Sequence, residues 1–103
     1  MNSWHIPSWL EKEVRGRDKK CVYCGVRLVE GVLLGRSRKA KATWEHIIND
    51  ARVVTRDNIA RCCVVCNASK GARTLSDWLE SDYCKQKRIN KNTVSSIIRK
   101  ALL

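Results

Sequence analysis

Apolar residues change period twice along this chain. Near the N-terminus Ile6, Trp9, Leu10 and Val14 recur at i, i+3, i+4 and i+8, one face of a helix. Pro7 suits its first position, and the helix is expected to end near Arg15-Gly16. In the middle the runs are short and strand-like. Val26-Arg-Leu-Val29 and Gly31-Val-Leu-Leu-Gly35 predict a loose hairpin, residues 42–48 a strand, and residues 59–62 a second strand, with the polar stretch 49–58 joining the last two. After Cys63 the period turns helical from about Val65 to Lys70, and Gly71 is placed to end it. Thr74-Leu-Ser-Asp77 has the form of a capping box, with Asp in place of Glu, and should open a helix carrying Leu75, Trp78 and Leu79. Asn92 can cap a last helix whose face is Val94, Ile97, Ile98, Ala101 and Leu102. Strands held between helices predict an α+β fold.

Length and charge narrow the picture. The 103 residues make a single domain, 1–103, too short for two independent cores. Apolar residues reach 44%, but there is no Phe, and the large anchors are Trp4, Trp9, Trp44 and Trp78. Trp44 is expected to pack in the core. A core of this size calls for a staple, either a metal or disulfides. Twenty-one Lys+Arg against ten Asp+Glu leave a formal charge of +11, which favours a polyanionic partner, nucleic acid first. The basic residues gather in a loop at Arg36-Ser-Arg38-Lys39-Ala-Lys41 and in a C-terminal extension, 74–103, where six Lys/Arg and no acid follow Tyr83. No run approaches the roughly 18 apolar residues of a membrane span.

Cysteine spacing supplies the staple. Six cysteines could form three disulfides in a secreted mini-protein. The start, Met-Asn-Ser-Trp-His, has no charged segment followed by an apolar one, so no signal peptide is expected, and the setting is expected to be intracellular, cytoplasmic and reducing. Cys21-Val-Tyr-Cys24 and Cys63-Val-Val-Cys66 are then two C-x-x-C knuckles able to hold Zn²⁺ in a tetrahedron of thiolates, with Gly25 suited to the first knuckle's turn. The segment 25–62 between the knuckles is longer than a simple zinc ribbon needs, so it has content of its own. Cys62 is expected to be a small core residue and Cys84 a free thiol. A redox role for the C-x-x-C pairs is a distant third reading.

The insert carries Trp44-Glu45-His46-Ile47 and Asn58-Ile59, and the second knuckle runs on as Cys66-Asn67-Ala-Ser-Lys70-Gly71. In this order, over about residues 17–73, the chain resembles the zinc-bound form of the HNH endonucleases, the ββα-metal nucleases. The resemblance implies a small zinc-stabilised ββα-metal core flanked by N- and C-terminal helices. It implies His46 as the general base, Glu45 and Asn67 as ligands of one catalytic divalent ion, and Asn58 as the residue that holds the loop. Glu45 stands where the family more often has Asp, and Asn67 where it commonly has His. Both offer oxygen to a hard ion such as Mg²⁺ or Mn²⁺.

The chemistry is coherent on its own terms. Hydrolysis of a phosphodiester needs a nucleophile made from water and a sink for charge on the leaving oxygen. An unperturbed imidazole is mostly neutral above about pH 7 and can accept a proton, and one cation can stabilise the departing 3′ oxygen. The resemblance implies a 5′-phosphate and a 3′-hydroxyl as products. Neighbours on a regular strand point to opposite faces, so Glu45 and His46 reach one phosphate only at a strand edge or twist. Lys70, one turn beyond Asn67, and Arg73, Arg61 and Arg56 are candidates to contact the phosphate backbone of double-stranded DNA. Plainer roles exist for each. His46 could be a structural residue beside Trp44, Asn58 could begin a strand, Asn67 could cap a helix, Lys70 could be an ordinary exposed lysine, and His5 is structural or solvated. Two functions follow. One is a monomeric endonuclease that nicks DNA with low sequence specificity. The other is a zinc-braced nucleic-acid binding module without turnover.

Overall fold

Six short elements around one strand pair follow from local chemistry that the sequence displays. The computed structural model describes residues 4–31 and 35–103. Helix α1, Ser8–Arg17, starts directly after Pro7, which stands at the N-cap with φ −58°. Ile6, Leu10 and Val14 are fully buried, but Trp9 is 59% exposed. One residue is about 100° around a helix, so Trp9 cannot share the buried stripe centred on Leu10. The guanidinium of Arg56 covers its ring at 5.7 Å instead. The helix runs on past Gly16, and Asp18 ties its end to the strands, because its Oδ2 accepts the Arg61 amide at 3.1 Å.

The first knuckle follows. Gly25 has φ +79° and donates its N–H to the Cys21 carbonyl at 3.0 Å, a turn that an L side chain would strain. The loose hairpin expected over 26–35 is not found among the described residues, and 32–34 lie outside them. Val29 instead bridges Lys41 in parallel, its amide donating to Ala40 and its carbonyl accepting from Ala42. The expected basic loop is a 3-10 turn, Gly35–Ala40.

Strands β1, Ala42–His46, and β2, Ile59–Cys63, pair antiparallel with Ala42 opposite Cys63 and His46 opposite Ile59. Strand β1 stops short of the expected Ile48. The ladder passes there to Asn58, whose backbone carbonyl accepts from Ile47 and whose side-chain Oδ1 accepts from Ile48. Alternation gives the pair two faces. Trp44, His46, Ile59 and Arg61 look toward α1, and Ile6, Leu10, Val14, Trp44 and Ile59 form one core cluster. Thr43, Glu45, Ala60 and Cys62 look the other way, toward a larger cluster that includes Tyr23, Ile47, Trp78, Ile89, Val94 and Ile98.

Helix α2, Val64–Lys70, begins on Cys63 and ends at Gly71, whose φ is +52°. Helix α3, Leu75–Leu79, has the expected cap, Thr74 accepting the Asp77 amide. A further helix, α4 (Asp82–Lys87), was not expected as a separate element and is capped by Ser81. The last helix, α5, is Ser96–Ala101 with Ser95 at its N-cap, not Asn92. Asn92 is taken up in its own turn, its amide donating to Asn90 Oδ1, while the Ser95 amide is anchored on the Val22 carbonyl. Trp78 locks these helices to the first knuckle. It meets the Tyr23 ring edge-on at 4.8 Å and donates from its indole nitrogen to Ser69. No helix among the described residues is long and apolar enough to cross a membrane.

Candidate functional site

The four knuckle cysteines meet. The Sγ atoms of Cys21, Cys24, Cys63 and Cys66 all lie within 4.8 Å of one another, with Cys24 and Cys63 at 3.8 Å. Zinc–thiolate bonds of about 2.3 Å place the corners of a tetrahedron about 3.8 Å apart, so the donor set and its spacing fit a structural zinc ion. Each knuckle turns its own backbone toward sulfur. The Cys24 amide donates to Cys21 Sγ at 3.5 Å and the Cys66 amide to Cys63 Sγ at 3.4 Å. Tyr83 lies 3.2 Å from Cys66 Sγ, and burial, then this hydrogen bond, push its phenol above the ordinary range. It therefore stays protonated, and either the phenol or the Cys66 thiol can be the donor. All six cysteines are free of disulfides. Cys62 is buried in the core as expected, its thiol pushed up by burial and then by the charge of Glu45. Cys84 is likewise a free thiol, and it is buried.

At the other end of the strand pair, Glu45 is 6% exposed and turned inward. Its Oε2 accepts from the Tyr23 hydroxyl at 2.5 Å and pairs with the Lys70 ammonium at 3.2 Å. Tyr23 is held well above the usual phenol range by burial and then by the Glu45 charge, so it remains a donor. Lys70, proposed from sequence to meet phosphate, is only 1% exposed and also donates to the Ile47 carbonyl. That corrects its assignment as a surface cation. Arg61 is corrected likewise. It is 5% exposed, pairs with Glu30 at 2.8 Å and lies over the Trp44 ring at 4.7 Å. Arg56 and Arg73 do lie on the surface, Arg56 paired with Glu13.

Asn67 reaches back to β1, its Nδ2 donating to Thr43 Oγ1 at 2.9 Å and to the Trp44 carbonyl at 3.1 Å. A carbonyl only accepts, so the amide nitrogen must face it, and Oδ1 takes no part in these bonds. Asn58 closes the 47–58 loop, donating from Nδ2 to the carbonyls of Ile48 and Val53 as well as accepting the Ile48 amide. His46 leaves the opposite face of β1 from Glu45, its ring 6.4 Å from that of Trp4. Its Nε2 is buried and finds no hydrogen-bond partner among the described residues.

The structure thus gathers Glu45, Asn67 and Lys70 on the α2 side of β1, sets His46 on the α1 side, and puts Asn58 at the loop end between them. Tyr23 and Thr43 complete the α2 side, and sequence reasoning missed both. Tyr23 had one signal, its place inside a C-x-x-C knuckle. No protein family, curated protein or solved structure matches this chain.

Proposed function

We propose that this chain is a divalent-metal-dependent DNA endonuclease of the HNH kind, in which the four-cysteine corner holds zinc for the fold. The observation that carries the reading is the His46 imidazole, the last residue of β1, with a buried Nε2 that no described group satisfies. Leaving such an atom unpaired costs about 1–3 kcal/mol, a state that His46 Nε2 shares with Arg61 Nε and Ser95 Oγ. What sets His46 apart is its place at the end of β1 beside Glu45 and the Asn58 loop. An imidazole nitrogen that is not engaged by the protein can take a proton from an attacking water. The half-exposed Trp4 ring lies 6.4 Å from the His46 ring. Asn58 supports this role by fixing the loop immediately beyond His46.

Glu45 and Asn67 would hold the divalent ion from the α2 side of β1, and His46 would act from the α1 side. One phosphate would therefore have to lie across the end of the strand, where His46 is the last residue. The ion would stabilise negative charge on the leaving 3′ oxygen. His46 would accept a proton from water as the water oxygen bonds to phosphorus and the P–O3′ bond breaks. The departing 3′ oxygen would take a proton from solvent, leaving a 5′-phosphate and a 3′-hydroxyl. The formal charge of +11 favours the DNA backbone as partner, and one site on one chain implies a nick by a monomer.

A second reading, a zinc-braced nucleic-acid binding module, is favoured by one observation: Glu45 is already neutralised by Lys70 inside the protein. Supercoiled plasmid separates the two. Wild type with Mg²⁺ or Mn²⁺ is expected to produce open circles, and His46→Ala to slow this by about 10²-fold or more. Protein that binds the plasmid and leaves it supercoiled with both ions belongs to the second class.

A further inference from the structure

Lys70 is the most buried charge in the described part of the molecule, and its surroundings are those of a cation site. Burying an ammonium is costly unless oxygens replace its water. Two do so here, Glu45 Oε2 at 3.2 Å and the Ile47 carbonyl at 3.1 Å. A carboxylate and a backbone carbonyl are hard donors, the set that Mg²⁺ and Mn²⁺ also prefer. Tyr23 steadies the same carboxylate oxygen from the zinc knuckle, and Asn67, one turn earlier on α2, is fixed to the backbone of β1 beside Glu45. The oxygens of this pocket are therefore already organised around a positive charge, and that charge is supplied by the protein.

We propose that Lys70 is a resident counter-ion for Glu45, a tethered competitor that a divalent ion must displace and that sets how tightly this site binds metal. The proposal rests on the reading of Glu45 as a metal ligand and adds a determinant of its affinity. Placement makes displacement feasible. Lys70 is the last residue of α2, and the residues that follow it, Gly71 to Thr74, are exposed, which sets the base of its side chain at the edge of the core. Its stem is a flexible chain of four carbons, unlike the planar fork of an arginine. The arrangement also explains how a carboxylate can be buried here and the fold still form before any divalent ion arrives. The two cations compete for one carboxylate, and the winner depends on ion concentration.

Two measurements on the zinc-loaded full chain test this. In wild type, acylation of Lys70 by an amine-reactive ester, followed by mass spectrometry, should be slow without divalent ion and rise at least fivefold at saturating Mn²⁺, while exposed lysines such as Lys85 keep their rates. In calorimetric titrations Lys70→Met should bind Mn²⁺ at least tenfold more tightly than wild type, and Mn²⁺ should raise its melting temperature more than it raises that of wild type. If Lys70→Met folds only when Mn²⁺ is present, that too supports the competition. Lys70 labelling that does not change at saturating Mn²⁺ overturns the proposal, as does equal affinity in the two proteins. Should Mn²⁺ binding in wild type be absent, or be unchanged by Glu45→Gln, the assignment of Glu45 as a ligand fails first. Should binding require Glu45 while Lys70 stays unreactive, only the competitor role is lost.

Discussion

The two ends of the strand pair each carry a polar cluster, and the clusters differ in what keeps them together. At the Ala42–Cys63 end, four thiols point at a common centre, and backbone amides are turned toward sulfur. The donor set and its spacing there fit a metal ion. At the His46–Ile59 end, the groups are divided between two faces, and the carboxylate on one face already has an internal partner. The first end has the donor set of a structural metal site, and the second has an ion pair supplied by the protein itself.

The largest expected effect follows from that asymmetry. Structural zinc contributes about 10–16 kcal/mol to the folding of small zinc-dependent peptides, as much as the whole stability of an ordinary domain. Chelation, or Cys66→Ser, should therefore abolish the cooperative melt followed by circular dichroism, with loss of close to one zinc per chain by metal analysis. Acid should act in the same direction, because protons compete with zinc for thiolate. A chain that keeps its melt after complete zinc removal would erase the distinction between the two ends.

Next in size is the pair at the other end. Removing one partner of a buried ion pair costs about 3–5 kcal/mol, whereas replacing both by apolar groups is often neutral. Lys70→Met and Glu45→Gln should each lower stability in denaturant titrations without divalent ion, by amounts in that range or somewhat below it. The combined Glu45→Leu/Lys70→Met protein should recover most of the loss. A double variant as unstable as the sum of the single ones would mean that the two side chains act independently.

The same contrast accounts for what the sequence disclosed. The thiols were legible because C-x-x-C spacing is a local signature of a tetrahedral ion, and Thr74 and Gly71 because capping chemistry spans only a few residues. Lys70 was not legible as a core residue, since its inward turn depends on Glu45, far away in sequence. Arg61 is similar, set by Glu30 and the Trp44 ring. The start of α5 was misplaced because Asn92 and Ser95 are both residue types that cap helices, although Ser95 makes no side-chain cap bond here. What decides between them is a long-range bond from Ser95 to Val22 together with the burial of Val94. Chain-local pattern gave the order strand, strand, helix, but not which face each polar residue would occupy.

His46 should separate activity from stability. Its Nε2 makes no hydrogen bond within the described residues, so His46→Ala removes little that holds the fold. A change within about 1 kcal/mol is expected in denaturant titration, set against the large loss of nicking already described. Asn58→Ala should behave differently, because its side chain makes three hydrogen bonds to the loop backbone. Leaving those groups unpaired costs about 1–3 kcal/mol. If His46→Ala were the more damaging of the two, the imidazole would belong with the structural groups at its end of the hairpin.

The smallest effect concerns the surface. Arg73 and Arg56 are both exposed, but Arg56 is engaged with Glu13 at 3.1 Å and with the Trp9 ring, so it must break these contacts before it can meet a phosphate. Each phosphate neutralised contributes about −0.9 to the slope of log affinity against log salt. Arg73→Ala should therefore flatten that slope for duplex DNA by nearly one such step, and Arg56→Ala by less, with stability changed by no more than about 0.5 kcal/mol in either. Equal slopes for both variants would show that the Glu13 pair is too weak to hold Arg56 back. The difference between an engaged and an available cation would then not hold at these two positions.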